Sequence, residues 1–223
     1  MANRFAPGCR CCGCGLFVPF GDLWLDDFGT DVDYTVVQTS EDQIPTIKPG
    51  CYFKVGNDWR VQSGNVFQNP PAPFTSGLLW RHYEVAPTLT GLVVELSTVI
   101  ADNSTQGWVG LSAHNAVGTL SYIRIGTASN GATCYYTYPG GSGTIAGGVA
   151  NGDSLEISAV YAGSASNFDI TFSRNGGSAV TKTNQDCSAI GFATDSFAFG
   201  FGAEENGLGG EAHFDDLSMQ AYY

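Results

Sequence analysis

The chain has 223 residues, 43% of them hydrophobic, and its 21 acidic and 9 basic residues give a formal net charge of −12. This acidic excess argues against nucleic-acid binding, because phosphate recognition needs a basic surface, and suits a solvated acidic surface or a cation site. No apolar run reaches the ~20 residues that a membrane span requires. The first residues also lack the apolar stretch of a recognisable Sec signal peptide.

Residues 1–22 differ in composition from the rest of the chain, because Cys9, Cys11, Cys12 and Cys14 lie close together there. Four thiolates can hold a tetrahedral zinc, although the adjacent pair Cys11-Cys12 departs from the usual C-x₂₋₄-C spacing. Disulfide bonds and reduced free thiols are equally compatible with the sequence, since connectivity cannot be read from spacing. We interpret this segment as an N-terminal arm that docks on its own domain or on a neighbour. It would mediate self-association or contacts with other assembly subunits.

Strand signals begin at Leu23 and follow one another in chain order. Residues 51–55 and 59–63 flank the turn signal Gly56-Asn57-Asp58, which predicts a hairpin. Apolar residues alternate through 91–100, and residues 108–113, 121–125 and 133–138 are predicted as further strands. Residues 139–148 are rich in glycine and are predicted as a loop.

The second half of the chain has three regular alternations of apolar and polar or small residues. The apolar positions are Leu155, Ile157 and Ala159, then Phe168, Ile170 and Phe172, and finally Phe197, Phe199 and Phe201. Asn175-Gly176 is a strong two-residue turn signal. About a dozen short strands and no helical period predict an all-β fold: an antiparallel two-sheet β-sandwich of the jelly-roll type over residues 23–223.

The last predicted strand begins with two adjacent acids, Asp215 and Asp216. Phe214 is out of phase with Leu217, so we expect a bulge or a bound cation between them. We also expect the first and last strands to meet, with Asp26-Asp27 as the partner of these acids, so that the last strand closes the sheet against the strand after Asp27. The four carboxylates form a candidate calcium site. The alternative is that they accept backbone N–H groups of a turn and bind nothing.

The order of several short motifs resembles that of a known superfamily. The motifs are Asp26-Asp27-Phe28, Trp59-x-Val-x-x-Gly64, Val93-Val94-Glu95-Leu96, Gly152-Asp-x-Leu-x-Ile157, the run from Ile170 to Gly176, and Phe214-Asp-Asp-Leu-Ser218. Together they resemble the concanavalin A-like lectin/glucanase superfamily in its laminin-G-like jelly-roll form, over about residues 23–222. The resemblance implies two curved antiparallel sheets, a concave face where relatives bind glycans, and often a calcium ion near the joined termini.

Aromatic residues on the predicted strands are candidates for sugar stacking. Trp80, Trp108, Tyr122, Tyr135 and Tyr138 would form such a platform on a concave sheet, and we select Trp108, Tyr122 and Tyr135 as glycan-binding candidates. The alternative is that they are ordinary strand formers and core residues.

Catalytic motifs are absent from the sequence. Glucanases of the superfamily carry Glu-x-Asp-x-x-Glu on one strand, which places two carboxylates ~5 Å apart, whereas Glu95 stands alone in its strand. A glycoside hydrolase is therefore the least favoured interpretation, and we expect neither an enzyme nor an organic cofactor. We predict a non-catalytic structural or adhesive protein of a larger assembly, either a virion or an extracellular filament, with a capacity for glycan recognition. The alternative is a free lectin-like carbohydrate-binding module.

Overall fold

The computed structural model describes residues 17–18, 23–27, 32–34, 53–55, 58–69, 76–84, 90–103, 106–113, 123–128, 131–164, 166–190, 192, 196–204 and 212–223. In this part of the chain, strands dominate and the one helical element is a 3₁₀ turn at Ser188–Ile190. The prediction of an all-β sandwich is confirmed. No helix among the described residues is long and apolar enough to cross a membrane.

Seventeen strands are described, more than the dozen predicted. They are β1 (Phe17–Val18), β2 (Leu23–Asp26), β3 (Val32–Tyr34), β4 (Phe53–Val55), β5 (Asp58–Gln62), β6 (Asn65–Asn69), β7 (Ser76–Glu84), β8 (Val93–Asn103), β9 (Gln106–Ala113), β10 (Ile123–Ala128), β11 (Thr133–Tyr138), β12 (Gly141–Ile145), β13 (Ser154–Tyr161), β14 (Asn167–Arg174), β15 (Ser178–Asp186), β16 (Ser196–Glu204) and β17 (Ala212–Tyr222).

The described strands form two sheets. Sheet A has the order β1-β7-β16-β9-β10-β11-β12, with β4 also paired to β7. Sheet B has the order β15-β14-β13-β8-β17-β6-β5-β3, with β2 also paired to β17. The β2–β17 pair runs antiparallel and places Asp26 opposite Leu217. The predicted meeting of the first and last strands of the sandwich is therefore confirmed, but the strand that pairs with β17 precedes Asp27 instead of following it.

The core lies between the sheets and follows the alternations seen in the sequence. Among the residues that the structure describes, the largest fully buried side chains are Trp59, Phe168, Phe172, Phe192, Phe197, Phe199, Phe201 and Phe214. Aromatic pairs join the two layers: Phe201 of sheet A stacks on Phe214 of sheet B at 4.5 Å, and Tyr136 stacks on Phe172 at 4.7 Å. Such pairs add about 0.5–1.5 kcal/mol beyond the burial of their area.

The predicted hairpin of residues 51–63 is wrong. β4 pairs with β7 in sheet A, whereas β5 pairs with β3 and β6 in sheet B. The chain therefore passes from sheet A to sheet B between β4 and β5. The hairpin in this region is β5–β6, and its turn places Ser63 and Gly64 at φ values of 54° and 82°. Two successive residues with positive φ are typical of a type I′ turn.

The predicted loop at residues 139–148 is partly a strand. β12 pairs with β11 as the edge strand of sheet A, with Tyr136 opposite Gly143. A Cβ at Gly143 would lie 2.3 Å from the Tyr136 hydroxyl oxygen. The glycine that signalled a loop is therefore needed in the strand, because the tyrosine ring occupies the space of a side chain.

Part of the predicted N-terminal arm contacts sheet A. β1 adds to the edge of β7 in parallel, with Phe17 opposite His82 and Val18 opposite Tyr83. The cysteines at positions 9–14 lie outside the described residues.

Candidate functional site

The outer face of sheet A is defined by the alternation along β9. Val109 and Leu111 point into the core, so Trp108 and Ser112 lie on the opposite face. The register continues this face across the neighbouring strands. Arg124 of β10 pairs with Thr137 of β11, and Gly126 pairs with Tyr135. Trp108, Arg124, Tyr135 and Thr137 therefore share one face; we call them the arginine–aromatic cluster.

Trp108 forms the floor of this cluster. Its side chain is 2% exposed although it points away from the core between the sheets. A Cβ at Gly202 would lie 2.1 Å from the indole ring, and a Cβ at Gly126 would lie 2.5 Å from the Trp108 Cβ. The indole can lie flat across the sheet because both neighbouring strands present glycine there.

Arg124 packs over two aromatic rings. Its guanidinium carbon lies 5.1 Å from the centroid of Trp108 and 5.5 Å from that of Tyr135. Both distances are within the range of a cation–π interaction. Arg124 Nε also donates a long, 3.5 Å hydrogen bond to Thr137 Oγ1. The half-buried guanidinium is therefore held in a fixed orientation.

Hydroxyl side chains continue from the cluster to the sheet edge. Thr137 pairs with Ser142 of β12, and Tyr135 pairs with Thr144. Ser142 and Thr144 are exposed, and Tyr135 and Thr137 are half-buried. Thr137, Ser142 and Thr144 thus present a row of hydroxyl groups beside a fixed cation, whereas the Tyr135 hydroxyl oxygen is fully buried.

The two sheets differ in charge among the described side chains. Among the side chains of sheet A that the structure describes, Arg124 is the single formally charged one. The outer face of sheet B carries the acids Glu95, Glu156, Asp169 and Asp215, since their strand neighbours are buried. Among the side chains that the structure describes, these acids therefore lie on the outer face of sheet B.

The structure brings together two of the three glycan-binding candidates. Trp108 and Tyr135 share one face, and Tyr122 lies outside the described residues. The burial of Trp108 makes it a support for Arg124 and not an open stacking platform. The sequence reasoning missed Arg124. Its signal was a single charge between the apolar residues Ile123 and Ile125, which marks an outward-facing position on a buried strand.

The acids of the last strand lie at the predicted bulge. The pairing of β17 with β8 shifts register between Asp215 and Leu217, and Asp216 has a φ of 49°. The Asp216 N–H donates to Asp215 Oδ1 at 2.9 Å, and Thr98 Oγ1 donates to the Asp215 carbonyl oxygen at 3.1 Å. The extra residue lets Phe214 and Leu217 both enter the core.

The carboxylates at this bulge repel one another. The pKa of Asp216 is raised by burial and then by the negative charges of Asp215 and Asp27. Within the described part of the chain, no group of three or more His, Cys, Asp or Glu side chains has the arrangement to hold a metal ion. The Asp26 side chain is not described, so calcium at the four carboxylates remains a prediction. Nothing in the structure supports zinc, whose predicted cysteine ligands are not described.

Comparison with known proteins places this geometry in a familiar fold. No protein-family model matches the sequence, and no curated protein is detectably similar to it. The Lotus tetragonolobus seed lectin aligns with 86% of this chain and 98% of its own, with a TM-score of 0.53 and 9% identity. The chain has the concanavalin A-like lectin fold.

Two further lectins show the same fold likeness. Peanut lectin aligns over 86% of this chain and 98% of its own, with a TM-score of 0.52 and 13% identity. The lectin UEA-II, solved in complex with galactose, aligns over 87% and 99%, with a TM-score of 0.51 and 11% identity. The predicted resemblance to the concanavalin A-like superfamily is thus confirmed at the level of the fold.

Proposed function

We propose that this protein is a non-catalytic glycan-binding module that binds sugars on the outer face of sheet A. The observation that carries the proposal is Arg124, held over Trp108 and Tyr135 beside the hydroxyl row of β11 and β12. The lectin fold supports it by analogy, since a fold alone does not establish a function.

The chemistry of the cluster matches that of a sugar ring. Saccharides present C–H groups to aromatic side chains and hydroxyl groups to polar ones. The guanidinium donates hydrogen bonds in its plane, and the hydroxyl groups of Thr137, Ser142 and Thr144 both donate and accept. Binding sites generally combine apolar walls with a few fixed polar groups. The buried indole supplies the rigidity that keeps Arg124 in place.

Glycan-array screening followed by calorimetry tests this proposal. We expect the wild-type protein to bind at least one glycan, and Arg124→Ala and Tyr135→Ala to lose that binding while keeping the fold by circular dichroism. Thr171→Ala is the matched control, because Thr171 lies on sheet B and bonds to Thr181 Oγ1 at 3.0 Å. The proposal would be contradicted if no glycan on the array bound the wild-type protein, or if Thr171→Ala lost as much glycan binding as Arg124→Ala and Tyr135→Ala. Absence of reducing-sugar release from β-glucans checks the non-catalytic part.

A second role, adhesion within a virion or an extracellular filament, is favoured by the position of β1. This two-residue strand pairs with the edge of β7, and an edge strand can accept the same segment from another copy. We propose that residues 1–22 link copies of the protein. Light scattering should give a larger mass for the full chain than for the chain lacking these residues, with and without reductant. Equal monomer masses would contradict an assembly role for the arm.

A further inference from the structure

The edge strand β12 pairs with another strand on one side only. Its described partner is β11, and no backbone hydrogen bond from another described segment reaches it. Gly140 and Gly141 at its start are exposed, and because glycine has no side chain, this exposure belongs to the backbone itself. The second side of β12 is therefore accessible to a partner strand.

The two-residue turn before β12 fixes which backbone groups face that side. Tyr138 ends β11 and Gly141 begins β12, so they form the first hydrogen-bonded pair of the hairpin. Hydrogen-bonded and non-hydrogen-bonded pairs alternate along an antiparallel ladder, and the β11–β12 register is continuous. The N–H and C=O groups of Gly143 therefore face β11, whereas those of Ser142 and Thr144 face the accessible side.

The edge strand β15 of sheet B differs from β12, because two features protect it. Lys182 lies opposite the buried Ile170 and so points inward, over the rings of Tyr136 and Tyr138. The register with β14 shifts directly after Lys182, where Asn184 has a φ of 55°. Inward-pointing charges and bulges both discourage pairing between edges. β12 has no charged residue and no register shift.

The charge pattern favours a second copy of this chain as the partner of β12. The net charge is −12, but residues 125–152 contain no Asp, Glu, Lys, Arg or His. Both β11 and β12 lie within this uncharged stretch, so two acidic copies can meet here with little repulsion. The strand is also self-complementary about Gly143. An antiparallel second copy places its Thr144 opposite Ser142, and the outward backbone groups of each such pair then exchange hydrogen bonds.

We propose that two copies of this protein associate by antiparallel pairing of their β12 strands, which makes the two A sheets continuous. The two Gly143 residues face each other at the two-fold axis. The Ser142 and Thr144 hydroxyl groups lie side by side on the outer face, where such pairs hydrogen-bond across strands. One short strand from each copy makes a small interface, so the dimer is weak and concentration-dependent. This inference is independent of glycan binding.

Charged substitutions at positions 142 and 144 test the pairing and its register. Sedimentation equilibrium of the full chain in reductant, up to about 1 mM, would detect a weak dimer. Ser142→Glu with Thr144→Glu should raise its dissociation constant about tenfold or more, because two carboxylates then meet at each pair. Ser142→Lys with Thr144→Glu should leave the constant equal or lower it, because opposite charges then meet at each pair.

Ala179→Glu with Thr181→Glu is the matched control. Both residues are exposed on the edge strand β15, and the substitutions add the same charge as the two glutamates on β12. The dissociation constant of this control should stay within about twofold of the wild-type value, since distant sites act independently. Thermal melts would confirm that all variants fold.

The outcomes separate this interface from other routes of association. A wild-type monomer at the highest concentration would overturn the proposal, and so would equal weakening by the β15 control. Equal weakening by both β12 variants would overturn the register about Gly143. A larger mass that depends on residues 1–22 but not on the β12 substitutions would assign association to the N-terminal arm and overturn the strand pairing.

Discussion

Asp216 is the residue at which backbone and electrostatic strain coincide. It adopts a left-handed conformation, with a φ of 49°, and its pKa is raised by burial and by two neighbouring carboxylates. Asparagine enters this conformation more readily than most residues, whereas a β-branched residue does so at a high cost. Asp216→Asn should therefore raise the Tm at neutral pH, and Asp216→Val should lower it. Thermal unfolding in a calcium-free buffer measures both.

The pH dependence of the Tm difference between Asp216→Asn and the wild type separates the effect of the Asp216 charge from that of the backbone conformation. A carboxyl whose pKa is raised by folding stabilises the protein below its unfolded pKa, and this contribution is lost as pH rises through the folded pKa. The advantage of Asp216→Asn should therefore be larger at about pH 7 than at about pH 3, where the carboxyl is protonated. A constant advantage would show that the backbone conformation alone is responsible.

Calcium tests the remaining interpretation of the same acids. If Asp26, Asp27, Asp215 and Asp216 bind the ion, calcium should raise the Tm of the wild type, because a ligand of the native state stabilises it by mass action. Asp216→Asn should then lose that shift. Calorimetric titration showing no heat, together with an unchanged Tm, would leave the carboxylates as groups that only accept hydrogen bonds.

Thr98 shows why the bulge is tolerated inside the sheet. Its side chain is buried, and its hydroxyl bonds to the Asp215 carbonyl oxygen at 3.1 Å. Thr98→Val keeps the shape but leaves that carbonyl without this donor. We expect a loss of about 1–3 kcal/mol in the free energy of unfolding, measured by denaturant titration. Thr171→Val on the exposed face is the control, and an equal loss there would refute the role of the hydrogen bond.

At the scale of strands, the sequence predicts elements better than it predicts partners. Phe197, Phe199 and Phe201 alternate as required of a strand with one buried face, and β16 confirms them. The bulge near Asp215 was also predictable, because a break in alternation is local. The β4–β5 hairpin failed because Gly56-Asn57 signals a turn but not whether the chain then stays in its sheet. Layer crossing depends on contacts that are distant in sequence.

Gly202 on β16 leaves the space that the Trp108 ring of the candidate site occupies. A Cβ there would lie 2.1 Å from the Trp108 ring, so Gly202→Ala must displace the indole and with it Arg124. Such overpacking costs about 1–3 kcal/mol, and glycan affinity should fall with it. Gly177→Ala is the control, since its nearest atoms lie 3.9 Å away. Denaturant titration measures the free energy of unfolding of both variants, and calorimetry measures their glycan affinity. Wild-type values of both quantities in Gly202→Ala would contradict the prediction.

At the scale of the whole molecule, the candidate site was less predictable than the fold. Trp108 and Tyr135 were selected as aromatic residues, but the burial of Trp108 depends on Gly126 and Gly202 of the two neighbouring strands. Arg124 was missed because its position between Ile123 and Ile125 marks an outward-facing side chain but not the aromatic rings that it meets. Its importance emerges from the register of β9, β10 and β11, which places one cation over two rings. Side-chain alternation predicts a face, whereas cross-strand register determines which residues meet on it.

The cooperativity of the two sheets can be tested with two buried thiols. Cys134 lies in β11 of sheet A, and Cys187 follows β15 of sheet B; both are buried and free. Burial raises the pKa of Cys134 to about 11 and that of Cys187 to about 12, so neither forms much of the reactive thiolate near neutral pH. Because the core aromatic pairs join the sheets, we expect alkylation of both thiols to begin at the same denaturant concentration, together with global unfolding. Mass-spectrometric peptide mapping measures each site separately. Alkylation of one thiol well below the concentration needed for the other would show that the sheets open independently.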